Sequence, residues 1–147
     1  MSDMTTIEVK AFVPARDFAL SKQFYQDLGF NLAWSDDALA YFRHGNSSFL
    51  LQNFYNKMHA DNFMMHLLVD DVDAWWHYVQ TQGIAAKYNM KIEPPEDHGT
   101  MRDFVVVDPT GVLWGSGKTL PLAEKRRVPP RKVRDGTSAN LLRDELV

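Results

Sequence analysis

Gly29 and Gly83 each close a helical pattern, and the 54 positions between them bring the residues before them into register. Asp17 falls on Asp71, Phe24 on Tyr78, Tyr25 on Val79 and Phe30 on Ile84. The preceding segments coincide too: Val9, Ala11, Val13 and Ala15 lie over Phe63, Met65, Leu67 and Val69. Alternating apolar residues make a half-buried strand, because successive side chains leave opposite faces. An aspartate just ahead of an apolar helical stripe accepts from the free N–H groups of the first turn. One strand–helix unit therefore occurs twice, which confines the chain to a duplicated α+β architecture.

The core stripes expected of the two helices are Leu20, Phe24 and Leu28, then Val72, Trp75, Trp76 and Val79. Each helix is followed by strand patterns. In the first half these are Asn31–Trp34, Leu39–Arg43 and Phe49–Phe54, with a turn at His44-Gly45-Asn46. In the second they are Lys87-Tyr88, Met101–Val107 and Val112–Trp114, with a turn at Asp108-Pro109-Thr110-Gly111. The reading is α+β, two tandem βαβββ modules forming a concave mixed sheet with helices outside. The halves span about 7–56 and 61–117 of a 1–117 domain, and 118–147 form a basic, partly extended or disordered arm.

The arm takes its charge from eight Lys and Arg against four Asp and Glu, which leaves residues 1–117 at −7 within a chain of net −3. Two uses of it stand side by side: a solvated tail, with a short helix over Ser138 to Leu146, or an arm that embraces a partner. A docking arm would make the protein an interaction module. The acidic domain disfavours nucleic acid and suits cationic ligands. With no cysteine there is neither disulfide nor thiolate, as in a reducing cytoplasm. Met1 to Thr6 lack an apolar core and no stretch reaches membrane-span length, so a soluble cytoplasmic protein is expected.

Three stretches carry a resemblance. They are Val13-Pro14-Ala15-Arg16-Asp17-Phe18 with Phe24-Tyr25 and Asp27-Leu28-Gly29-Phe30; Leu67 to Trp76; and Gly99 to Gly111, reading GTMRDFVVVDPTG. In order and spacing they resemble the vicinal-oxygen-chelate superfamily of glyoxalases, extradiol dioxygenases and bleomycin-resistance proteins. The resemblance implies a cavity enclosed by the concave sheet and, in metal-using members, one divalent ion held by His, Glu or Gln from four strands. Carried over, those positions are Lys10, Gln52, Met64 and Gly115. An ammonium repels a cation, glycine offers no donor, and a thioether is too soft for hard or borderline ions. No metal and no cofactor is therefore expected. His44, His59, His66, His77 and His98 show no ligand spacing, with His59 and His98 read as loop residues.

Strand parity set by those positions gives the expected lining: Lys10, Phe12, Leu50, Gln52, Phe54, Met64, His66 and Leu68, with Trp34, Tyr41 and Tyr88 as further stacking residues. Trp75 and Trp76 are read as core and dimer packing, and Arg102 with Asp103 as a structural ion pair. Lys10 and His66 are the candidates for acid–base chemistry; no nucleophile elbow or phosphate loop is present, and Ser116 lies between two glycines without a strand-to-helix turn. The chain is most similar to the bleomycin-resistance branch, whose members lack the metal ligands and bind cationic drugs in aromatic grooves at a dimer interface. The implied partners are a small organic ligand, a bleomycin-class drug among them, and a second copy of the chain. Lys10 is the departure, since its charge suits a carboxylate or phenolate. The alternative is a lyase or dioxygenase of the same fold, metal-dependent or using Lys10 and His66.

Overall fold

The computed structural model describes residues 3–121. The first half supplies β1 (Phe12–Pro14), α1 (Phe18–Asp27), β2 (Asn31–Ser35), β3 (Leu39–His44) and β4 (Ser47–Gln52). The second supplies β5 (Met64–Leu68), α3 (Val72–Thr81), β6 (Glu96–His98), β7 (Met101–Val107) and β8 (Leu113–Thr119). Two short helices, α2 (Lys57–Asn62) and α4 (Ile84–Lys87), fill connections. The strand orders β1-β4-β3-β2 and β5-β8-β7-β6 are the same scheme twice. In each sheet the opening strand lies parallel to the last and all other neighbours are antiparallel. The duplicated α+β modules read from the 54-residue offset are thus present. The arm from residue 122 on, with its Ser138 to Leu146 segment, lies outside the described residues.

The helix starts follow the capping rule. Asp17 accepts the N–H of Leu20 at 3.1 Å, and Asp71 that of Ala74 at 2.9 Å. In α1 the buried stripe is Ser21, Phe24, Tyr25 and Leu28 rather than Leu20, Phe24 and Leu28. A strict four-residue spacing drifts around a 3.6-residue helix, so Leu20 rotates out and is 39% exposed. Val72 and Val79 are buried, with Trp75 and Trp76 half-buried against the core.

Four further expectations are corrected. Lys87-Tyr88 is not a strand: Ala85 and Ala86 favour helix, and α4 ends there. The Tyr88 ring packs edge-on against Phe24, and the Tyr88 hydroxyl and Lys87 ammonium both donate to the Asp27 carboxylate, at 2.6 and 2.7 Å. The edge strand is β6 instead, which places His98 in a strand, and His59 sits in α2, capped by Asn56. Val9 does not meet a helix; β1 pairs with β4 only from Phe12 on, and Val9 is 93% exposed.

The halves are joined through a buried polar chain as well as through hydrophobic contact. The Trp114 indole donates to the Tyr25 hydroxyl at 2.9 Å, and Tyr25 donates to Asp108 Oδ2. Asp108 Oδ1 accepts the N–H groups of Thr110, Gly111 and Val112, each at 2.9 Å. Thr110 Oγ1 in turn accepts the Arg16 N–H at 3.1 Å and lies 3.3 Å from Ser21 Oγ. The Asp-Pro-Thr-Gly turn of the second half is thereby docked onto α1 of the first. Burial holds the Tyr25 hydroxyl proton well above its usual range and raises Asp108. Around this chain Phe30, Phe49 and Trp114 interlock edge to face with centroids 5.1–5.5 Å apart.

Candidate ligand-binding site

Strand pairing decides which side chains share the face turned away from the helices. Phe12 lies opposite Leu50, Leu50 opposite Tyr41, and Tyr41 opposite Trp34, so four strands present one apolar, largely aromatic row. An irregularity between Leu32 and Trp34 puts Trp34 in that row. Core-facing neighbours are fully buried, as Val13, Ala40 and Leu51 show, whereas Phe12 is 51% and Trp34 50% exposed. Gln52 is half-buried at the end of β4, opposite Pro14 and Leu39. Phe54 stands exposed just beyond it.

A polar cluster borders the row. Lys10 Nζ lies 4.7 Å from the centroid of the Tyr41 ring and 2.9 Å from Glu8 Oε1. Glu8 also accepts from Ser48 Oγ at 2.5 Å and from the Tyr41 hydroxyl at 2.6 Å. Those hydrogen bonds, Ser48 first, then Tyr41 and Lys10, hold its carboxyl down at about 2. The Arg43 guanidinium donates to the Tyr41 oxygen at 2.8 Å. Lys10 is therefore a paired cation, and the bare positive charge read from the sequence is corrected to an ion pair. Glu8 was missed because the strand was started at Val9. Its parity with Lys10 and Phe12 is the signal that would have found it.

On the second sheet Met64, His66 and Leu68 lie opposite Leu113, Gly115 and Gly117. All three β5 residues are exposed. Partial burial lowers the His66 pKa, opposed by the Asp103 charge, which favours a neutral imidazole. Asp103 is fully buried, with His98 Nε2 3.1 Å from its Oδ2. Gly117 leaves room for it, since a methyl group there would stand 2.9 Å from Asp103 Cβ. Arg102 and Asp103 do not pair with each other: consecutive strand residues leave opposite faces. Arg102 instead donates to Asp73 at 2.8 and 3.1 Å and to Asp97 at 2.9 Å.

Between the halves runs a cleft of about 470 Å³. Glu8 and Ser48 line it from the first half, His66 and Leu68 from the second, with Phe49 and Trp114 at its back. Of the lining expected from the sequence it receives only His66 and Leu68. Lys10, Phe12, Trp34, Tyr41 and Gln52 group on the first sheet, and Met64 stays on the second. The four positions carried over for a metal do not fit one. Lys10 is engaged by Glu8, Gly115 has no side chain and Met64 offers a thioether; among the described residues no three His, Asp or Glu gather closely enough to hold an ion.

The arrangement described is matched by a model of the Glyoxalase/Bleomycin resistance protein/Dioxygenase superfamily over residues 7–115. The chain belongs to this superfamily. No curated relative matches it. Among solved structures, the bleomycin resistance determinant encoded on transposon Tn5 superposes with a TM-score of 0.67 at 24% identity, covering 79% of this chain and 100% of its own. A bleomycin-binding protein complexed with bleomycin gives 0.66 at 22%, covering 78% and 100%. A lactoylglutathione lyase from Agrobacterium tumefaciens gives 0.58 at 16%, covering 78% and 94%. These likenesses establish the fold of the glyoxalase and bleomycin-resistance proteins. Among the described residues no helix is long and apolar enough to cross a membrane.

Proposed function

We propose that this protein binds an organic ligand of the bleomycin class without a metal, stacking it on the first-half concave face and sequestering it. The observation that carries the reading is the uncovered row Phe12–Leu50–Tyr41–Trp34 with its acid, Glu8, fixed beside it. Aromatic faces supply stacking energy to a planar or apolar group, and a few aimed polar groups set its orientation. Glu8, its carboxyl held down at about 2, stays ionised beside that face, and a ligand cation would share it with Lys10. Gln52, Phe54, Met64 and His66 extend the proposed lining. Solved structures of bleomycin-binding proteins with this fold support the ligand class.

A second copy of the chain completes the cavity in this reading. Phe12, Trp34, Phe54, Met64 and Leu68 are each at least 41% exposed, an apolar surface of the kind that twofold association covers. The functional unit is the domain read as 1–117, made of halves 7–56 and 61–117, in a cytoplasmic homodimer; the arm read as 118–147 starts later, since β8 carries Lys118 and Thr119. The test is a tryptophan-fluorescence titration of chelator-treated protein with metal-free bleomycin. Saturable quenching at one drug per subunit is expected, and no change at the highest soluble drug concentration would discard the assignment.

A second reading, proton transfer without metal, has one observation behind it: the His66 imidazole, its pKa lowered by partial burial, lines the cleft across from Glu8. It fits the lyase among the structural neighbours. Turnover lost in His66→Gln but kept in Phe12→Ala would favour it over sequestration.

A further inference from the structure

On the helix side of the molecule, away from the concave row, lies a groove of about 310 Å³ lined by Gly29, His44, Ala74, Trp75 and Tyr78. Three of these are aromatic, and no neighbouring pair is parallel. The His44 and Trp75 centroids are 4.9 Å apart with planes at 59°, and those of Trp75 and Tyr78 are 6.4 Å apart at 72°. Rings inclined to one another make the sides of a box rather than a closed stack. Gly29 and Ala74 leave the rest of the lining without bulk. Gly29 has φ +113°, and a methyl group there would stand 3.2 Å from Tyr78 Cε1, so that wall stays bare.

Core packing accounts for only part of the box: Trp75 leans on the core and His44 meets Phe30 edge-on, with the outer faces left open. Val72 and Val79 bury the inner stripe of α3, while His44 is exposed and Tyr78 is 38% exposed. The surroundings are acidic. Asp71 Oδ1 accepts the Ala74 N–H at 2.9 Å, which sets a carboxylate against the Ala74 wall, and Asp70 precedes it. The Asp71 carboxylate offsets the partial positive charge of the helix start. The field of residues 1–117, at −7, has the same sign. Aromatic faces attract cations, and boxes of such rings hold alkylated ammonium groups.

We propose that this groove is a ligand site of its own, taking a small organic cation with an alkylated ammonium head. Its volume lies in the range of small-molecule pockets and admits a head group with a short substituent. No residue of the concave row lines it, so it stands or falls separately from bleomycin binding.

The experiment titrates benzyltrimethylammonium into the full chain at constant ionic strength and reads the four tryptophan indole N–H signals by NMR. The expected result is a saturable shift of the Trp75 signal with no shift of Trp114, which is buried in the core. Tyr78→Ala weakens the binding about tenfold, the scale of one well-placed ring. A dispersed Trp114 signal verifies that the variant is folded. The neutral isostere 2,2-dimethylpropylbenzene leaves Trp75 unmoved. An unmoved Trp75 at the highest cation concentration, or equal binding of the neutral isostere, overturns the proposal. So does a shift confined to Trp34, which would assign the cation to the concave face.

Discussion

The two halves of the molecule share a strand order, a capped helix and a 54-residue register, yet only their helix-facing residues correspond in kind. Val13 and Leu67, Tyr25 and Val79, and Phe30 and Ile84 are matched pairs, and all six are buried. On the opposite face the same register sets Lys10 against Met64 and Phe12 against His66. The first half there is aromatic with a Glu8–Lys10 ion pair. The second has Gly115 and Gly117 on β8, with Asp103 and His98 buried as a pair. A helix packed on a sheet demands apolar volume wherever it occurs, so that face was duplicated and kept. The other face carries no such demand and is where the halves acquired separate chemistry.

The comparison breaks most severely at the joint between halves. Asp108→Ala removes the acceptor of three backbone N–H groups and of Tyr25, and we expect a loss of about 3–5 kcal/mol, read by denaturant unfolding. Tyr25→Phe should cost about 2 kcal/mol, since it strands the Trp114 donor and one Asp108 oxygen. Gly117→Ala comes next at about 1–3 kcal/mol, because the new methyl meets Asp103 Cβ at 2.9 Å.

Two adjacent residues sharpen the contrast between faces. Val13→Ala should lower stability by roughly 1–3 kcal/mol through a core cavity while leaving ligand affinity nearly unchanged. Phe12→Ala should do the reverse, with stability within about 0.5 kcal/mol of wild type and affinity down about tenfold. Equal effects of the two on both readouts would contradict the division of faces.

The smallest effect concerns Glu8. Its folded-state pKa, about 2, is depressed, so its contribution to stability is present above the ordinary carboxyl range and is lost as pH falls toward 2. Carbon-13 NMR titration should give a Glu8 pKa near that value, moving back toward the ordinary range in Ser48→Ala and less so in Tyr41→Phe. An unshifted Glu8 in wild type would remove the fixed carboxylate from the account.

The sequence reveals what packing enforces. Both caps, the buried valines of α3 and β7 to its last residue follow from alternation and spacing, while the parity of Phe12, Gln52 and Met64 comes with the positions that the resemblance carries over. Leu20 misleads because leucine is apolar wherever a helix puts it, and its outward turn depends on which neighbours Ser21 and Tyr25 find in the second half. Lys87-Tyr88 misleads because α4 depends on an anchor 60 residues away, Asp27. Parity with Lys10 and Phe12 places Glu8 on the concave face, but its bond to Ser48 and the Asp103–His98 pair are tertiary events that no local pattern announces. Lys10 was visible as a charge on the concave face, and only its partner changes the meaning of that charge.

The central claim, metal-free binding on the first-half face, is tested most directly by isothermal titration of chelator-treated protein with metal-free bleomycin, comparing wild type with Phe12→Ala. The account predicts one drug bound per subunit in wild type and about tenfold weaker binding in the variant. Binding only after a divalent metal is restored to the protein, or equal affinity of the two proteins, would contradict it.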